Sequence, residues 1–330
     1  MAELAGKKVL VTGVHGFVAG HLTERLVRIG ARVVGLDLRE DPRSYLSRCG
    51  ALAQTDFVCA DITEPEAMGA LFAEHQPEVV FHLAAQAEVL EALKDPLRAL
   101  EVNVRGTYLI LECARRTWAE AKGPRALVVA SSDKAYGQRQ SLPYREDDEL
   151  RGQYPYDVSK ACADMIARGY HVAFGLPVAV TRCANLYGPG DTAFSRIIPG
   201  TMRSLLRGER PVIRSDGKPQ RDYLYISDAV DAYLCLVEAL LDGRAAGEAY
   251  NFGTGEPVSV VEIFHEMAEV AGRPDLEPEV LGEASQELRD QFLSAAKAQR
   301  ELGWRARVPR QEGLARTYEW YRDHLAATDE

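Results

Sequence analysis

Long apolar runs are missing. None in the 330 residues approaches the roughly 18 to 20 that a bilayer span requires, and Met1 to Lys8 lacks the apolar core of a signal peptide. Cytoplasmic residence is the expectation that follows. Six cysteines, at 49, 59, 113, 162, 183 and 235, show no C-x-x-C spacing, which points to reduced, mostly buried thiols rather than disulfides or zinc. The seven histidines are scattered, and His265-Glu266-Met267-Ala268-Glu269 lacks the second histidine of a zinc-binding helix, so no metal is expected. Basic runs are absent as well. With a net charge of −10 the chain does not read as a nucleic-acid binder, and an anionic substrate would need arginines gathered locally. There is no repeat and no low-complexity segment, and 46% apolar residues suffice for the core of one large or two modest domains.

What is present begins with Lys8-Val9-Leu10-Val11-Thr12, a buried strand running straight into Gly13-Val14-His15-Gly16-Phe17-Val18-Ala19-Gly20. A helix follows, with Val18, Leu22, Leu26 and Ile29 at helical spacing and Gly30 as its stop. Gly13 permits a tight turn and Gly16 lets a pyrophosphate approach the N–H groups of the helix start, where the helix dipole favours negative charge. Ala19 stands where a third glycine is common. A second strand, Arg32–Asp37, ends in an acid about 20 residues on, as a ribose 2′-hydroxyl contact requires. Asp37 favours NAD over NADP, although Arg39 is near enough to receive a 2′-phosphate.

Further strand-like runs at Phe57–Ala60, Val79–Leu83, Ala126–Ala130 and Pro177–Arg182 alternate with helical patterns at Glu66–His75, Pro96–Arg116 and Tyr156–Phe174. Such alternation predicts an α/β chain, a Rossmann-type, doubly wound parallel sheet. After Tyr187-Gly188-Pro189-Gly190-Asp191 the elements shorten and Gly, Pro and Arg increase, which predicts a smaller C-terminal substrate-binding region over the strand ends. We expect residues 1–185, with 226–253 returning, to form the dinucleotide-binding domain, and 186–225 with 254–330 the substrate region. Asp37, Asp61, Ala84 and Ser132, each at a strand end, are expected to face one cleft.

Two short stretches carry chemistry: Ser131-Ser132-Asp133-Lys134-Ala135-Tyr136-Gly137, and Tyr156-Asp157-Val158-Ser159-Lys160. A Tyr-x-x-x-Lys spacing sets both side chains on one helical face, where an ammonium can lower the phenol toward neutrality and make Tyr156 a base. With a hydroxyl, an acid and an amine beside it, such a set can oxidise an alcohol and expel water next to it. The blander reading of Asp133 and Lys134 is an exposed ion pair. Tyr136, Tyr45, Trp304 and the Trp320-Tyr321 pair read as packing or interface aromatics.

Seven ordered motifs resemble the extended short-chain dehydrogenases/reductases of the nucleotide-sugar epimerase and dehydratase family, over nearly the whole chain. They are Thr12-Gly13-x-x-Gly16-Phe17-Val18, Asp61-Ile62, His82-Leu83-Ala84-Ala85-Gln86, Asn103-Val104-x-Gly106-Thr107, Tyr156-x-x-x-Lys160, Arg182-x-x-Asn185-x-Tyr187-Gly188 and Arg221-Asp222-Tyr223. The resemblance implies NAD as cofactor, with Asp61 and Ile62 at the adenine, Leu83, Ala84 and Ala85 lining it, Asn103 binding it and Lys160 at the nicotinamide ribose. It implies a nucleotide-diphosphate sugar as substrate, met by Gln86, Asn185, Arg196 and Arg221, the two arginines at the diphosphate. Asn103 could instead bridge strand and helix, and Arg196 could be a surface residue. Arg289, beside Asp290, has no clear register. A homodimer through the Pro96–Arg116 and Tyr156–Phe174 helices is implied too.

Family 4-epimerases keep a hydroxyl at the place of Ser132 and small or neutral residues after it. The Ser132-Asp133-Lys134 triplet is closest to CDP-glucose 4,6-dehydratase-like enzymes and a group of UDP-N-acetylglucosamine dehydratases, whereas Arg221-Asp222-Tyr223-Leu224-Tyr225 is more like glucose dehydratases and epimerases. The expected reaction is therefore 4,6-dehydration. Tyr156 takes the O4 proton with Ser132 hydrogen-bonded beside it, Asp133 protonates the departing C6 hydroxyl, and Lys134 handles the C5 proton. The product would be a 4-keto-6-deoxy sugar nucleotide. A C4 epimerase, or a related decarboxylase or reductase, is the alternative; a sensing protein without catalysis would have no need of Ser132, Tyr156 and Lys160 together.

Overall fold

Seven parallel strands of buried aliphatic residues form the centre of the molecule: β1 (Lys8–Thr12), β2 (Arg32–Asp37), β3 (Asp56–Cys59), β4 (Val79–His82), β5 (Ala126–Ala130), β6 (Val178–Cys183) and Ala249–Phe252. The computed structural model describes residues 2–139, 141–283 and 289–324. The sheet runs Ala249–Phe252, β6, β5, β4, β1, β2, β3, with every pair parallel. Val9, Val11, Phe81 and Val128 belong to one apolar layer, while Leu10, Val80, Leu127 and Val129 belong to the other. Both faces are therefore covered, which is why the strands read as continuous apolar runs rather than alternating ones.

Leu22 and Leu26 of the Phe17–Arg28 helix and Leu236 of the Ile226–Leu241 helix join the first layer. Ile110, Leu111 and Ala114 of the Gly106–Trp118 helix and Ala167 of the Pro155–Phe174 helix join the second. Strand order reverses between β1 and β4, so a crevice opens at their carboxyl ends. Ile197–Leu206 and the start of Val260–Val270 line this crevice and, with Arg310–His324, share a separate apolar cluster around Met202, Met267 and Leu314.

Two local expectations need correcting. The helix expected over Pro96–Arg116 is Pro96–Leu100, a π-helical turn at Glu101–Arg105, and Gly106–Trp118. The widened turn holds Asn103, whose amide bonds the Gln86 backbone and Ser159 outside its own helix. The thiols are free, but they are not mostly buried. Cys183 is buried, whereas Cys49, at the end of a short helix, and Cys59, on the edge strand β3, are exposed. Among the described residues no helix is long and apolar enough to cross a membrane.

Candidate active site

The crevice is a cavity of about 1680 Å³. Its floor is the turn after β1, where Gly13 has φ +70° and a Cβ would stand 2.7 Å from the Cα of Ala84. Only glycine allows the β1 and β4 ends to approach this closely. The Phe17–Arg28 helix starts at Gly16 with no side chain capping it, and Phe17 and Val18 line the cavity. Its leading N–H groups thus remain suited to a pyrophosphate. Asp37, at the end of β2, accepts from the N–H groups of His15 (2.9 Å) and Leu38 (2.8 Å) and faces the same space, with Asp61, Ile62, Leu83, Ala84 and Ala85 further along the wall. The cradle fits a dinucleotide.

Beneath it a buried chain locks β1 to β4. Thr12 Oγ1 accepts from the N–H groups of Leu83 and Ala84, so its proton goes to His82 Nδ1 at 2.9 Å. His82 Nε2 then donates to Thr107 Oγ1 (3.1 Å), which donates to Asn103 O. Burial, with the nearby charge of Lys160, lowers His82 to about 3 and keeps it neutral. Sequence reasoning gave Thr12, His82 and Thr107 no role, although all lie inside the quoted motifs; their partners are set by tertiary contact between strands.

The reactive groups converge from β5 and the Pro155–Phe174 helix. Ser132 caps the Asp133–Tyr136 turn, its Oγ donating to Asp133 Oδ1 at 3.0 Å. Asp133 is 1% exposed, and its Oδ2 has no hydrogen-bond partner among the described residues. The Lys134 ammonium stands 3.8 Å from Asp133 Oδ1 and 3.4 Å from Asn185 Oδ1. All three residues line the cavity with Tyr156 and Lys160, so the reading of Asp133 and Lys134 as an exposed surface pair does not hold.

Burial pushes the Tyr156 phenol up to about 12, opposed chiefly by the charge of Arg196 and then by hydrogen bonding to Ser132. Burial thus leaves the phenol above its ordinary value rather than near neutrality. Lys160 Nζ lies 6.0 Å from the tyrosine ring centroid and donates to Ala130 O at 2.8 Å, and burial lowers it to about 8. Arg196 leads the influences that oppose burial at the phenol.

Asn185, Arg196 and Arg221 also reach the cavity. Asn185 is fixed by its Nδ2, which donates to Asp222 O at 3.3 Å. Arg196 is half-buried and pairs with Asp191 at 3.1 Å, and Arg221 Nη1 donates to the carbonyls of Gln220 and Arg289. Gln86 and Asn103 are not on the cavity wall. The Gln86 backbone is held by both ends of the Asn103 amide, which is the bridging alternative, so the two act together behind the wall. Cys183 and Tyr233 line the cavity without having been singled out. Burial raises the Cys183 thiol to about 12, and Tyr233 accepts from Thr181 at 3.1 Å. Among the described residues no cluster of three His, Cys, Asp or Glu side chains is arranged to hold a metal ion.

A doubly wound sheet with a glycine cradle at its switch point and a Tyr/Lys pair beyond it defines a Rossmann-fold dehydrogenase-like enzyme. Residues 9–253 match the NAD dependent epimerase/dehydratase family. The chain is 34% identical over 321 residues to a UDP-glucose 4-epimerase of Mycolicibacterium smegmatis, covering 96% of this chain and 99% of that one. It is 30% identical over 332 residues to a dTDP-glucose 4,6-dehydratase of Xanthomonas campestris, covering 94% and 92%. A crystal structure of a dTDP-glucose 4,6-dehydratase from Streptomyces venezuelae with NAD bound superimposes with a TM-score of 0.87 at 28% identity, over 97% of this chain and 98% of that one. The chain belongs to the NAD dependent epimerase/dehydratase family, and NAD is its cofactor.

Proposed function

We propose that the protein is a nucleotide-sugar 4,6-dehydratase, converting an NDP-hexose to its 4-keto-6-deoxy form. The observation that carries this reading is Asp133, a buried carboxyl on the cavity wall with one oxygen unbonded and Lys134 at its side. Epimerisation at C4 needs a base and a hydroxyl but no such acid. A 4-epimerase is the second reading, favoured by the 34% identity to the Mycolicibacterium enzyme.

The residues divide the work as follows. Gly13, Gly16, Phe17, Val18 and Asp37 hold NAD with Asp61, Ile62 and Leu83 to Ala85, and NAD when bound supplies the two-electron oxidation at C4 and the matching reduction at C6. Tyr156, acting as the phenolate that Arg196 and Ser132 favour against burial, receives the O4 proton, with Ser132 bonded to the same oxygen. The ketone acidifies C5; Lys134, acting as the neutral amine, removes that proton while Asp133, acting as the carboxylic acid, delivers one to the C6 hydroxyl as water leaves, and Lys134 returns a proton to C5 when C6 is reduced. Arg196 and Arg221, which line the cavity with Asn185, suit a diphosphate. On this reading residues 1–185 with 226–253 serve the cofactor, and 186–225 with 254–330 serve the sugar nucleotide. The large apolar side chains of Leu97, Tyr108, Met165 and Val172, exposed on neighbouring helices, support a homodimer.

The test is incubation with a panel of NDP-hexoses followed by alkaline absorbance of the 4-keto product. Absorbance with at least one supports dehydration; an isomeric hexose with no keto sugar overturns it.

A further inference from the structure

Tyr156, Lys160 and Asp164 follow one another at four-residue steps, on one face of the Pro155–Phe174 helix. The first two reach the cavity; Asp164 does not. It is fully buried and grips Arg182, equally buried, through two parallel bonds, Nε to Oδ2 at 2.7 Å and Nη2 to Oδ1 at 2.9 Å. The remaining Arg182 nitrogen, Nη1, donates to Tyr136 OH (2.7 Å) and to Glu146 O (3.2 Å). Tyr136 OH passes its own proton to Asn251 Oδ1 at 2.7 Å, and its ring stacks on Tyr144 with centroids 4.8 Å apart. Tyr144 OH in turn holds Gly137 O at 2.7 Å.

Tyr136 ends the same short turn that starts with Asp133. That turn is closed on itself by Ala135 N to Ser132 O, Gly137 N to Lys134 O and the Ser132 cap, so it moves as a unit. We propose that Asp164, Arg182 and Tyr136 are positioning residues: a buried strut that holds the Ser132–Lys134 turn in register with the Tyr156–Lys160 face. None of the three lines the cavity, so each acts through the groups it ties together. A buried ion pair is a poor source of stability against an apolar replacement, whereas a planar fork fixed at both ends imposes one geometry. Misplacement of a catalytic group by about 1 Å can cost on the order of 100-fold in rate.

The Asp133 and Lys134 part of this inference rests on the dehydratase reading; the Ser132 and Tyr156 part does not. The experiment therefore follows C4 oxidation, common to both reactions, as the transient of reduced nicotinamide, and water loss separately. Tyr136→Phe keeps the ring stack and deletes the hydroxyl on which Arg182 ends. Trp118→Phe, which loses the Nε1 to Pro77 O bond far from the cavity, is the stability control. With Tyr136→Phe we expect kcat to fall about 10-fold or more, KM and NAD content to stay within about twofold, and C4 oxidation to slow. Trp118→Phe keeps kcat within about twofold. The strut is overturned if Tyr136→Phe retains wild-type kcat, or if its kcat falls only in step with melting temperature as in the control. Wild-type C4 oxidation without water loss overturns the dehydratase reading alone, and the effect of Tyr136→Phe on C4 oxidation still decides the strut.

Discussion

Lys134 Nζ stands 3.8 Å from Asp133 Oδ1, an amine and an acid side by side on the cavity wall. On the proposed division of labour they serve C5 and C6, while C4 belongs to Tyr156. Lys134→Ala is therefore expected to leave NAD binding and C4 oxidation intact while C5 exchange and water loss slow together by roughly 100-fold or more. Single-turnover kinetics with C5 exchange measured by NMR check this; equal loss at C4 and C5 speaks for a structural ion pair.

Arg196 is the largest influence holding Tyr156 down against its burial. Removing that charge raises the phenol further, so Arg196→Gln moves the ascending limb of C4 oxidation to higher pH. At neutral pH and saturating substrate the step slows on the order of 10-fold. The pH profile of the reduced-nicotinamide transient measures it, and an unmoved limb means that Arg196 acts on substrate alone.

His82 is lowered from 6.5 to about 3 by burial, then by Lys160. Below pH 6.5 the unfolded chain takes up a proton that the folded one refuses. The stability associated with neutral His82 is thus complete above 6.5 and is lost as pH falls toward about 3, with a slope near 1.4 kcal/mol per pH unit. His82→Gln costs stability at pH 7 by breaking the Thr12 to Thr107 chain, but its denaturation midpoint falls less steeply than wild type between pH 6 and 4. Parallel urea curves over that range would contradict the assignment.

Met165 is 62% exposed and Val172 85% exposed, both on the Pro155–Phe174 helix. A homodimer through this face predicts that Met165→Asp combined with Val172→Asp yields a monomer in sedimentation velocity, with melting temperature lowered by a few degrees. An unchanged sedimentation coefficient places any self-association elsewhere.

Much of this was legible in the sequence because it depends on local periodicity or on motifs. The β1 to glycine to helix unit, the Asp37 strand end and the Tyr156/Lys160 face are all set by neighbours within a few residues. What was not legible depends on distant parts of the chain. Lys160 donates to Ala130 O, and Arg196 answers Asp191 while acting on Tyr156; such outcomes come from packing between elements that no spacing encodes. For Asn103 the sequence left bridge and cofactor contact open, and the π turn that lets it reach Gln86 has no propensity signal. The Asp164–Arg182–Tyr136 strut joins three segments and surfaces only when the β6 register sets Arg182 beneath the Asp133 turn.

The most direct measurement is turnover of an active NDP-hexose in deuterium oxide, with the product examined by NMR. Loss of water between C5 and C6 through the paired acid and amine predicts a 6-deoxy-4-keto sugar carrying solvent deuterium at C5, with the hydrogen once at C4 now on C6. A hexose inverted at C4, keeping its C6 hydroxyl and its protium at C5, would contradict it.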